Sequence, residues 1–210
     1  MPVTRRSLII SAAAAAAAAG LPAARAEAAD TPSLPPGLPA DVFRERQEKL
    51  RAAARARGMD ALFVTPCTNL AYSANLAIER SERLTALVLF SDGPAVLITP
   101  NFEESNHRRA AVVNDVKPWK EDENPIALAA KLLEGKKVLG VEGSTTYETV
   151  VKLGAAFPGT IEDATAIFDG LRRVKSPEEQ AMIRAAGERT TLAIAATHAR
   201  IRRAGYPDQA

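Results

Sequence analysis

Residues 84–99 read Leu-Thr-Ala-Leu-Val-Leu-Phe-Ser-Asp-Gly-Pro-Ala-Val-Leu-Ile-Thr. Two apolar runs, 84–90 and 95–99, flank a polar turn at 91–94 that contains a Gly-Pro pair. Short apolar runs joined in this way predict two β-strands in an antiparallel hairpin. Because the hairpin lies among alternating strand and helix patterns, it predicts a sheet that mixes antiparallel and parallel strands.

Strand and helix patterns alternate on both sides of the hairpin. Strands are also predicted at 61–65 and 138–141, which are short apolar runs, and at 115–119 and 160–167. Stretches with helical patterning and turn residues at their ends predict helices at 41–57, 102–111, 125–133 and 146–156. Asp41 is expected to cap the first helix and Gly58 to end it. The alternation predicts an α/β domain over 41–170, a mixed β-sheet flanked by helices.

A different pattern begins after residue 170. Ser176 is suited to cap a helix, Pro177 to take its first position and Glu179 to complete a capping box. These signals predict a long α-helix over 177–204. Its apolar positions, which predict a partner surface, are Met182, Ile183, Ala186, Thr190, Leu192, Ile194, Ala195 and Ile201. We expect that surface to lie outside the 210 residues.

The first 26 residues have the composition of an export signal. Arg5 and Arg6 precede a run of alanines, and Ala24 and Ala26 provide the small residues of a cleavage site. The paired arginines favour the twin-arginine route, so we expect the protein to be exported, to the periplasm.

No membrane anchor is expected after cleavage of this signal. Gly20, Pro22 and Arg25 interrupt the alanine run, whereas a membrane-spanning helix needs about 20 strongly apolar residues. Residues 27–40 are rich in proline and are predicted to form an extended linker.

The charge balance gives no support for nucleic-acid binding. The chain has 27 basic and 25 acidic residues, and residues 1–26 hold three of the basic residues and no acid. The rest of the chain is therefore close to neutral, and a nucleic-acid partner is not expected. The single cysteine, Cys67, has no partner for an internal disulfide, and we interpret it as a packing residue rather than a reactive thiol.

Three segments together resemble the creatinase, aminopeptidase P and prolidase family of pita-bread metalloenzymes. They are 58–72, which begins Gly-Met-Asp-Ala-Leu-Phe-Val, the hairpin with its preceding Glu82-Arg83, and 171–186, which begins Leu-Arg-Arg-Val-Lys-Ser-Pro-Glu-Glu. The resemblance implies that 41–170 is the family's N-terminal domain. It also implies that 171–210 is a hinge followed by the first helix of an incomplete catalytic domain.

The family resemblance implies a site for two divalent metal ions, Mn, Co or Zn, in the complete enzyme. Its five ligands belong to the catalytic domain, and none of their positions is present here, so we expect no catalytic residue, metal or cofactor in this chain. The only histidines are His107 and His198, which lack a ligand spacing. We interpret His107 as a solvated residue on a polar helix and His198 as a structural residue of the long helix. The runs Glu103-Glu104, Glu121-Asp122-Glu123, Glu162-Asp163 and Glu178-Glu179 are poor metal clamps, since sequence neighbours point in different directions.

The resemblance also suggests residues that border a substrate. In oligomers of the family, the N-terminal domain of one subunit can border the active site of another, and the matching side chains here are Asn69, Tyr72, Arg80 and Arg83. The arginines are suited to hold a substrate carboxylate through paired hydrogen bonds. The alternative is that Tyr72 packs beneath its loop and the arginines are solvated.

The function implied by the resemblance is that of the N-terminal portion of an exported Xaa-Pro peptidase-like metallohydrolase. The complete enzyme would hydrolyse the peptide bond preceding proline in proline-containing peptides, and this portion alone would be inactive. One alternative is a fragment of a creatinase-type small-amide hydrolase. Another is a non-catalytic binding or assembly module, in which helix 177–204 self-associates or binds another chain.

Overall fold

The structure is a computed structural model that describes residues 36–203. The predicted export signal, with Arg5, Arg6, Ala24 and Ala26, lies outside the described residues, as do most of the linker and residues 204–210. The helices are α1 Ala40–Ala56, α2 Thr68–Ala74, α3 Glu104–Ala110, α4 Pro125–Leu132, α5 Tyr147–Ala156, α6 Thr165–Arg173 and α7 Pro177–Arg203. The strands are β1 Ala61–Val64, β2 Ala86–Phe90, β3 Ala95–Pro100, β4 Asp115–Trp119, β5 Val138–Val141 and β6 Thr160–Asp163. A 3₁₀ turn, Asn101–Glu103, precedes α3.

The six strands form one mixed sheet in the order β4-β3-β2-β1-β5-β6. β2 pairs antiparallel with both β3 and β1, and the other neighbouring strands pair in parallel. The predicted hairpin and mixed sheet are therefore confirmed. Since β2 alone is reversed, its amino end lies at the same sheet edge as the carboxyl ends of the other five strands. We call this edge the carboxyl edge.

Alternating side chains of the strands supply two apolar cores, one on each face of the sheet. Leu62 and Val64 of β1 belong to the core covered by α1, α2 and α6, and Ala61 and Phe63 belong to the core covered by α4 and α5. The helices contribute fully buried side chains, which are Leu50 of α1, Leu70 of α2, Phe168 of α6, Ala129 of α4 and Leu153 of α5. Both faces of the central strands are consequently buried.

Gly140 in β5 permits close packing of the neighbouring side chains against the sheet. A Cβ atom at this position would lie 2.5 Å from Sδ of Met59 and 2.8 Å from a methyl carbon of Leu62. It would also lie 3.1 Å from the Cβ of Ala164, just before α6. Only glycine leaves room for these neighbours without displacing them.

Two local predictions were wrong, each for a physical reason, and one helix was missed. Asp41 does not cap α1: the cap position is Pro39, and Asp41 instead pairs with Arg44 at 2.8 Å. The last strand ends at Asp163 rather than at residue 167, because Asp163 accepts the amide hydrogen of Thr165 and α6 begins there. Helix α2 was not predicted at all.

The start of the long helix matches its prediction closely. The Ser176 hydroxyl accepts the amide hydrogen of Glu179 at 3.2 Å, and the Glu179 carboxylate accepts that of Ser176 at 2.7 Å. This is the predicted capping box. The other Glu179 oxygen accepts a hydrogen bond from the buried guanidinium of Arg46 at 2.6 Å, which fastens the first turn of α7 to α1.

Residues from Ala181 onward form a separate compact unit from residues 36–180. Within this part of α7, Ile183, Ile194 and Ile201 are all exposed and lie on one face of the helix, given 3.6 residues per turn. Leu192, also exposed, lies on the opposite face. Across residues 36–203, no helix has both the length and the apolar character to cross a membrane.

Candidate functional site

Because β2 runs opposite to the other strands, the loop that leads into β2 lies at the carboxyl edge of the sheet. In open α/β sheets, ligands bind outside the carboxyl ends of the strands, where neighbouring strands connect in opposite directions. β1 and β5 meet this condition, because β1 leads towards β2 on one side and β5 towards β6 on the other. The loop of residues 79–85, which leads into β2, is thereby placed beside the ends of β1 and β5.

A cavity of about 340 Å³ lies beneath this loop. Its walls combine the incoming loop, the end of β4 and the first turns of α4 and α5. The lining residues are Thr65, Pro66, Arg80, Ser81, Glu82, Arg83, Leu84, Thr85, Trp119, Pro125, Ile126, Thr146, Glu148, Thr149 and Lys152. The indole N–H of Trp119 donates to the Leu84 carbonyl at 2.9 Å and so fixes the loop against β4.

Arg80 and Arg83, both predicted to border a substrate, line this cavity but differ in their partners. Arg83 donates from Nε to Glu121 at 2.6 Å and from Nη1 to Glu82, and its guanidinium lies 5.6 Å from the ring centroid of Phe102. The hydrogen bond and charge of Glu121 raise the pKa of Arg83. Arg80 donates from Nη2 to the carbonyl of Ser144 at 2.6 Å. Within residues 36–203, Arg80 has no carboxylate partner.

Asn69, the third predicted residue, belongs to a buried cluster around the carboxylate of Glu142. Glu142 follows β5, and its side chain accepts hydrogen bonds from the Asn69 amide at 2.9 Å, from the amide and hydroxyl of Ser144, and from the Cys67 thiol at 3.5 Å. The Asn69 oxygen in turn accepts from Arg172 of α6 at 2.9 Å. The half-buried Cys67 is thus a hydrogen-bond donor as well as a packing residue.

The cluster extends to the cavity through a continuous series of hydrogen bonds. Arg172 donates to Asn69, and Asn69 donates to Glu142. Glu142 holds Ser144, whose carbonyl accepts from Arg80. The orientation of Arg80 at the cavity is therefore linked to the end of α6 through four side chains and one backbone carbonyl.

Tyr72, the fourth predicted residue, lies with Arg46 of α1 rather than at the cavity. The Arg46 guanidinium lies 4.2 Å from the centroid of the Tyr72 ring and donates to the Tyr72 carbonyl at 3.1 Å. Burial is the main cause that raises the pKa of Tyr72. The structure therefore brings together only Arg80 and Arg83 of the four predicted residues.

His107 is buried, so the prediction of a solvated side chain was wrong. Its Nδ1 lies 2.7 Å from the hydroxyl of Thr99 in β3, and its Nε2 lies 3.7 Å from the Glu103 carboxylate. Burial lowers the pKa of His107, and Glu103 opposes that effect. His107 lies on the face of α3 that packs on the sheet, although Glu104, Arg108 and Arg109 of the same helix are charged.

Three residues of the site were not identified from the sequence. Glu142 follows a buried strand directly, and a polar residue at the carboxyl end of such a strand is a usable signal. Thr65, at the end of β1, shares a hydrogen bond of 3.2 Å with Thr145 in the interior. Thr85 precedes β2 and is 3% exposed. Nothing local in the sequence distinguishes either threonine from an ordinary strand residue.

The described residues do not offer the donor set of a dinuclear metal site. Across residues 36–203, no three side chains of His, Cys, Asp or Glu lie close enough together to hold a metal ion. The carboxylate of Glu142 is instead surrounded by hydrogen-bond donors, and Nδ1 of His107 forms a hydrogen bond with the Thr99 hydroxyl. No step of a reaction is assigned to a metal in this part of the chain.

Comparison with known proteins gives matches across the sheet domain. Residues 46–174 match the family model described as the creatinase/prolidase N-terminal domain. The probable dipeptidase PepE of Mycobacterium tuberculosis is 30% identical over 166 residues, which cover 77% of this chain and 43% of that protein. An uncharacterized peptidase of Staphylococcus aureus is 26% identical over 129 residues, or 61% of this chain and 36% of the relative.

Solved structures show the same fold. The dipeptidase PepE of Mycobacterium ulcerans superposes with a TM-score of 0.62 at 26% identity, covering 68% of this chain and 39% of the other. The N-terminal domain of an X-Pro dipeptidase of Streptococcus pyogenes gives a TM-score of 0.55 at 19% identity, covering 60% of this chain and 98% of that domain. The chain spans less than half the length of the curated relatives named above.

Proposed function

Because the chain belongs to the creatinase/prolidase family through its N-terminal domain, we propose that it is the N-terminal portion of an Xaa-Pro peptidase-like metallohydrolase. The complete enzyme would hydrolyse the peptide bond that precedes proline. The match over residues 46–174, together with relatives named as dipeptidases, is the observation that carries this proposal.

The proposed role of the sheet domain is to border the substrate rather than to cleave it. Arg80 and Arg83 line one cavity at the carboxyl edge, and Arg80 has donors left for a carboxylate of a proline-containing peptide. Tyr72 and Asn69 contribute through packing and through the Glu142 cluster. These contacts favour a positioning role for Asn69 and Tyr72 and a substrate-facing role for Arg80.

Chemistry in the complete enzyme is assigned to a catalytic domain that holds two divalent metal ions, Mn, Co or Zn. Such ions would supply a metal-activated water for attack on the peptide bond. The residues described here lack a fitting donor set, so we expect this portion alone to be inactive. Export by the twin-arginine route, through Arg5 and Arg6, and a periplasmic location remain part of the proposal.

The test is an assay of the purified 210-residue chain with Mn²⁺ on an Xaa-Pro dipeptide. We expect no hydrolysis, whereas a longer protein encoded by the same gene region and containing the five metal ligands should hydrolyse the dipeptide. Creatine is assayed in parallel. Hydrolysis of creatine rather than the dipeptide by the longer protein would identify a creatinase-type small-amide hydrolase. Turnover of the dipeptide by the 210-residue chain itself would contradict the assignment of chemistry to another domain.

An assembly module is the second candidate function, and the exposed isoleucines of α7 favour it. Ile183, Ile194 and Ile201 are 59%, 53% and 43% exposed and share one helix face. Exposed apolar residues aligned on one helix face are suited to a second helix of the same kind. In this candidate function, the chain self-associates through 177–204 and has no catalytic role.

A further inference from the structure

A short connector, residues 174–176, joins α6 to α7. Val174 is 80% exposed, and Lys175 is also exposed, so the connector has little packing of its own to fix its direction. Contacts on either side of the connector must therefore decide how the chain enters α7.

Both sides of the connector are linked to α2. On the α6 side, Arg172 donates to the side-chain oxygen of Asn69 at 2.9 Å. On the α7 side, Arg46 of α1 donates to Glu179 at 2.6 Å and to the backbone carbonyl of Tyr72 at 3.1 Å. Asn69 and Tyr72 belong to the same short helix, which thus carries the contacts that hold the two ends of the connector.

The Arg46 guanidinium is fixed by neighbours other than Glu179. It lies 5.1 Å from the centroid of the Phe43 ring and 4.2 Å from that of the Tyr72 ring. The side chains of Arg46 and Glu179 are 9% and 21% exposed. Breaking an ion pair that is largely removed from water is costly, because removal of one partner leaves the other charge buried. Arg46 is therefore a rigid anchor for the Glu179 carboxylate.

The Glu179 carboxylate serves two partners at once. One oxygen accepts from the Arg46 guanidinium, and the other accepts the amide hydrogen of Ser176. Only a carboxylate accepts hydrogen bonds at both terminal atoms, since the side-chain amide of glutamine has one oxygen and one NH₂ group. A single side chain thus completes the cap of α7 and holds its first turn to α1.

We propose that Arg46 is a positioning residue that, through Glu179, holds the first turn of α7 in one orientation on the sheet domain. The inference rests on the proposed function, in which α7 leads into the catalytic domain of the complete enzyme. Arg46 would set the direction in which the chain enters that domain without touching the substrate. A wrong direction would misplace the substrate-bordering side chains relative to the catalytic domain and lower the rate.

Hydrogen exchange in the purified 210-residue chain tests this role without any activity. The reporter is the backbone amide of Gln180, which donates to the Ser176 carbonyl at 2.9 Å and so reports opening of the first turn of α7. The amides of β1, whose residues are fully buried, report global unfolding in the same NMR spectra. A local effect changes the reporter alone, whereas a general loss of stability changes both.

Glu179→Gln separates the cap from the ion pair, because capping boxes accept glutamine but its one oxygen cannot serve Arg46 as well. We expect exchange at the reporter amide to quicken about tenfold, as for the loss of one charged hydrogen bond, and exchange in β1 to change less than about twofold. Glu178→Gln is the matched control. It removes a negative charge from the same helical turn at an exposed position and should leave the reporter unchanged.

Substitutions of the arginine test the other partner. Arg46→Met keeps an unbranched side chain between the two rings and removes the guanidinium, and should quicken exchange at the reporter about 30-fold. Arg46→Lys should fall between, because an ammonium keeps the charge but not the planar group that reaches both Glu179 and Tyr72. Arg44→Met removes an exposed ion pair with Asp41 from the same helix and should have no effect.

The longer protein from the same gene region tests the consequence for catalysis. Glu179→Gln in that protein should lower kcat/KM for an Xaa-Pro dipeptide about fivefold at unchanged metal content, and Glu178→Gln should not. Unchanged metal content separates misplacement of the two domains from damage to the metal site.

Equal exchange at the reporter in Glu179→Gln and Glu178→Gln would overturn the proposal. A parallel rise at the reporter and in β1 would do the same, because Arg46 would then stabilise the whole fold rather than position α7. Equal kcat/KM of the two variants in an active longer protein would remove the positioning role. A longer protein that hydrolyses no dipeptide even when unmodified would contradict the proposed function instead, and the exchange comparison would be unaffected.

Discussion

The carboxylate of Glu142 joins three separate segments of the chain. It accepts hydrogen bonds from Asn69 in α2, from Ser144 in its own loop and from Cys67 after β1, and Asn69 links it to Arg172 in α6. The Glu142 residue is 4% exposed. A buried acceptor surrounded by donors is sensitive to any substitution that introduces a donor in its place.

Glu142→Gln is expected to destabilise the fold by about 2 kcal/mol, because the new NH₂ group would face donors that the carboxylate now satisfies. Urea unfolding gives the free energy of unfolding of both proteins. Glu162→Gln, at an exposed position of β6, provides the control and should change stability by less than about 0.5 kcal/mol. Equal losses in the two variants would show that the cluster contributes nothing specific.

From the burial of His107 we expect the free energy of unfolding to decrease as the pH falls. Burial holds the folded-state pKa of His107 below the ordinary value of 6.5, so the folded protein binds this proton more weakly than the unfolded chain does. The neutral His107 side chain makes its full contribution to the free energy of unfolding above pH 6.5. That contribution declines as the pH falls from 6.5 towards the lowered pKa. Glu103 is the charged group nearest to the ring and limits the effect without reversing it.

The measurement compares urea unfolding at neutral pH and below the ordinary histidine pKa. His107→Asn, which retains a polar atom near the Thr99 hydroxyl, should show a smaller loss of stability between the two conditions than the unmodified protein. His198→Asn, on an exposed part of α7, should keep the full loss. An unchanged pH dependence in His107→Asn would assign the effect to other groups.

At the scale of elements, Gly140 sets how closely α6 and the loop before β1 approach the sheet. Gly140→Ala would force a methyl group against Met59, Leu62 and Ala164, and we expect a loss of about 2 kcal/mol in unfolding free energy. Gly154→Ala in α5 is the matched control, since its Cβ would meet only Ile161 at 3.7 Å. It should stabilise the protein by about 0.5 kcal/mol through helix propensity. If Gly140→Ala had the same unfolding free energy as the unmodified protein, the neighbouring side chains would have to move aside at little cost.

Elements with strong local signals could be predicted from the sequence, and elements without them could not. The Asp115–Trp119 and Val138–Val141 strands were predicted to the residue, and so were Ser176 and Glu179 as the capping box of α7. Helix α2 is only seven residues long and is held by tertiary contacts. Helix α6 was misread in part, because the strand predicted over 160–167 includes its first three residues, 165–167.

The candidate site depends on long-range contacts that no local pattern reveals. The Asn69–Glu142 hydrogen bond joins residues 73 positions apart, and the Thr65–Thr145 contact joins residues 80 apart. Arg80 and Arg83 were identified through the family resemblance, and the structure places both at one cavity. Tyr72 was identified in the same way but lies with Arg46 instead, because α2 turns its ring towards α1.

At the scale of the whole molecule, the exposed stripe on α7 predicts self-association of the 210-residue chain. Replacing Ile183 and Ile194 together by Glu would place charges on the shared face and should shift the protein towards monomer. Leu192→Glu adds a charge to the opposite face and should leave association unchanged. Sedimentation equilibrium at several concentrations measures the difference. A monomeric unmodified chain, or equal behaviour of both variants, would remove the support for an assembly role.

The two outer strands of the sheet have a consequence for the protein in concentrated solution. β4 contains Pro118, which has no amide hydrogen to offer an incoming strand, beside the ion pair of Lys117 with Asp115. β6 ends in Glu162 and Asp163, so two copies meeting there would bring four carboxylates together. The proline and these charges disfavour growth of the sheet from one molecule to the next at both margins. Within residues 36–203, the sheet therefore carries at both edges the features that natural proteins use against edge-to-edge aggregation.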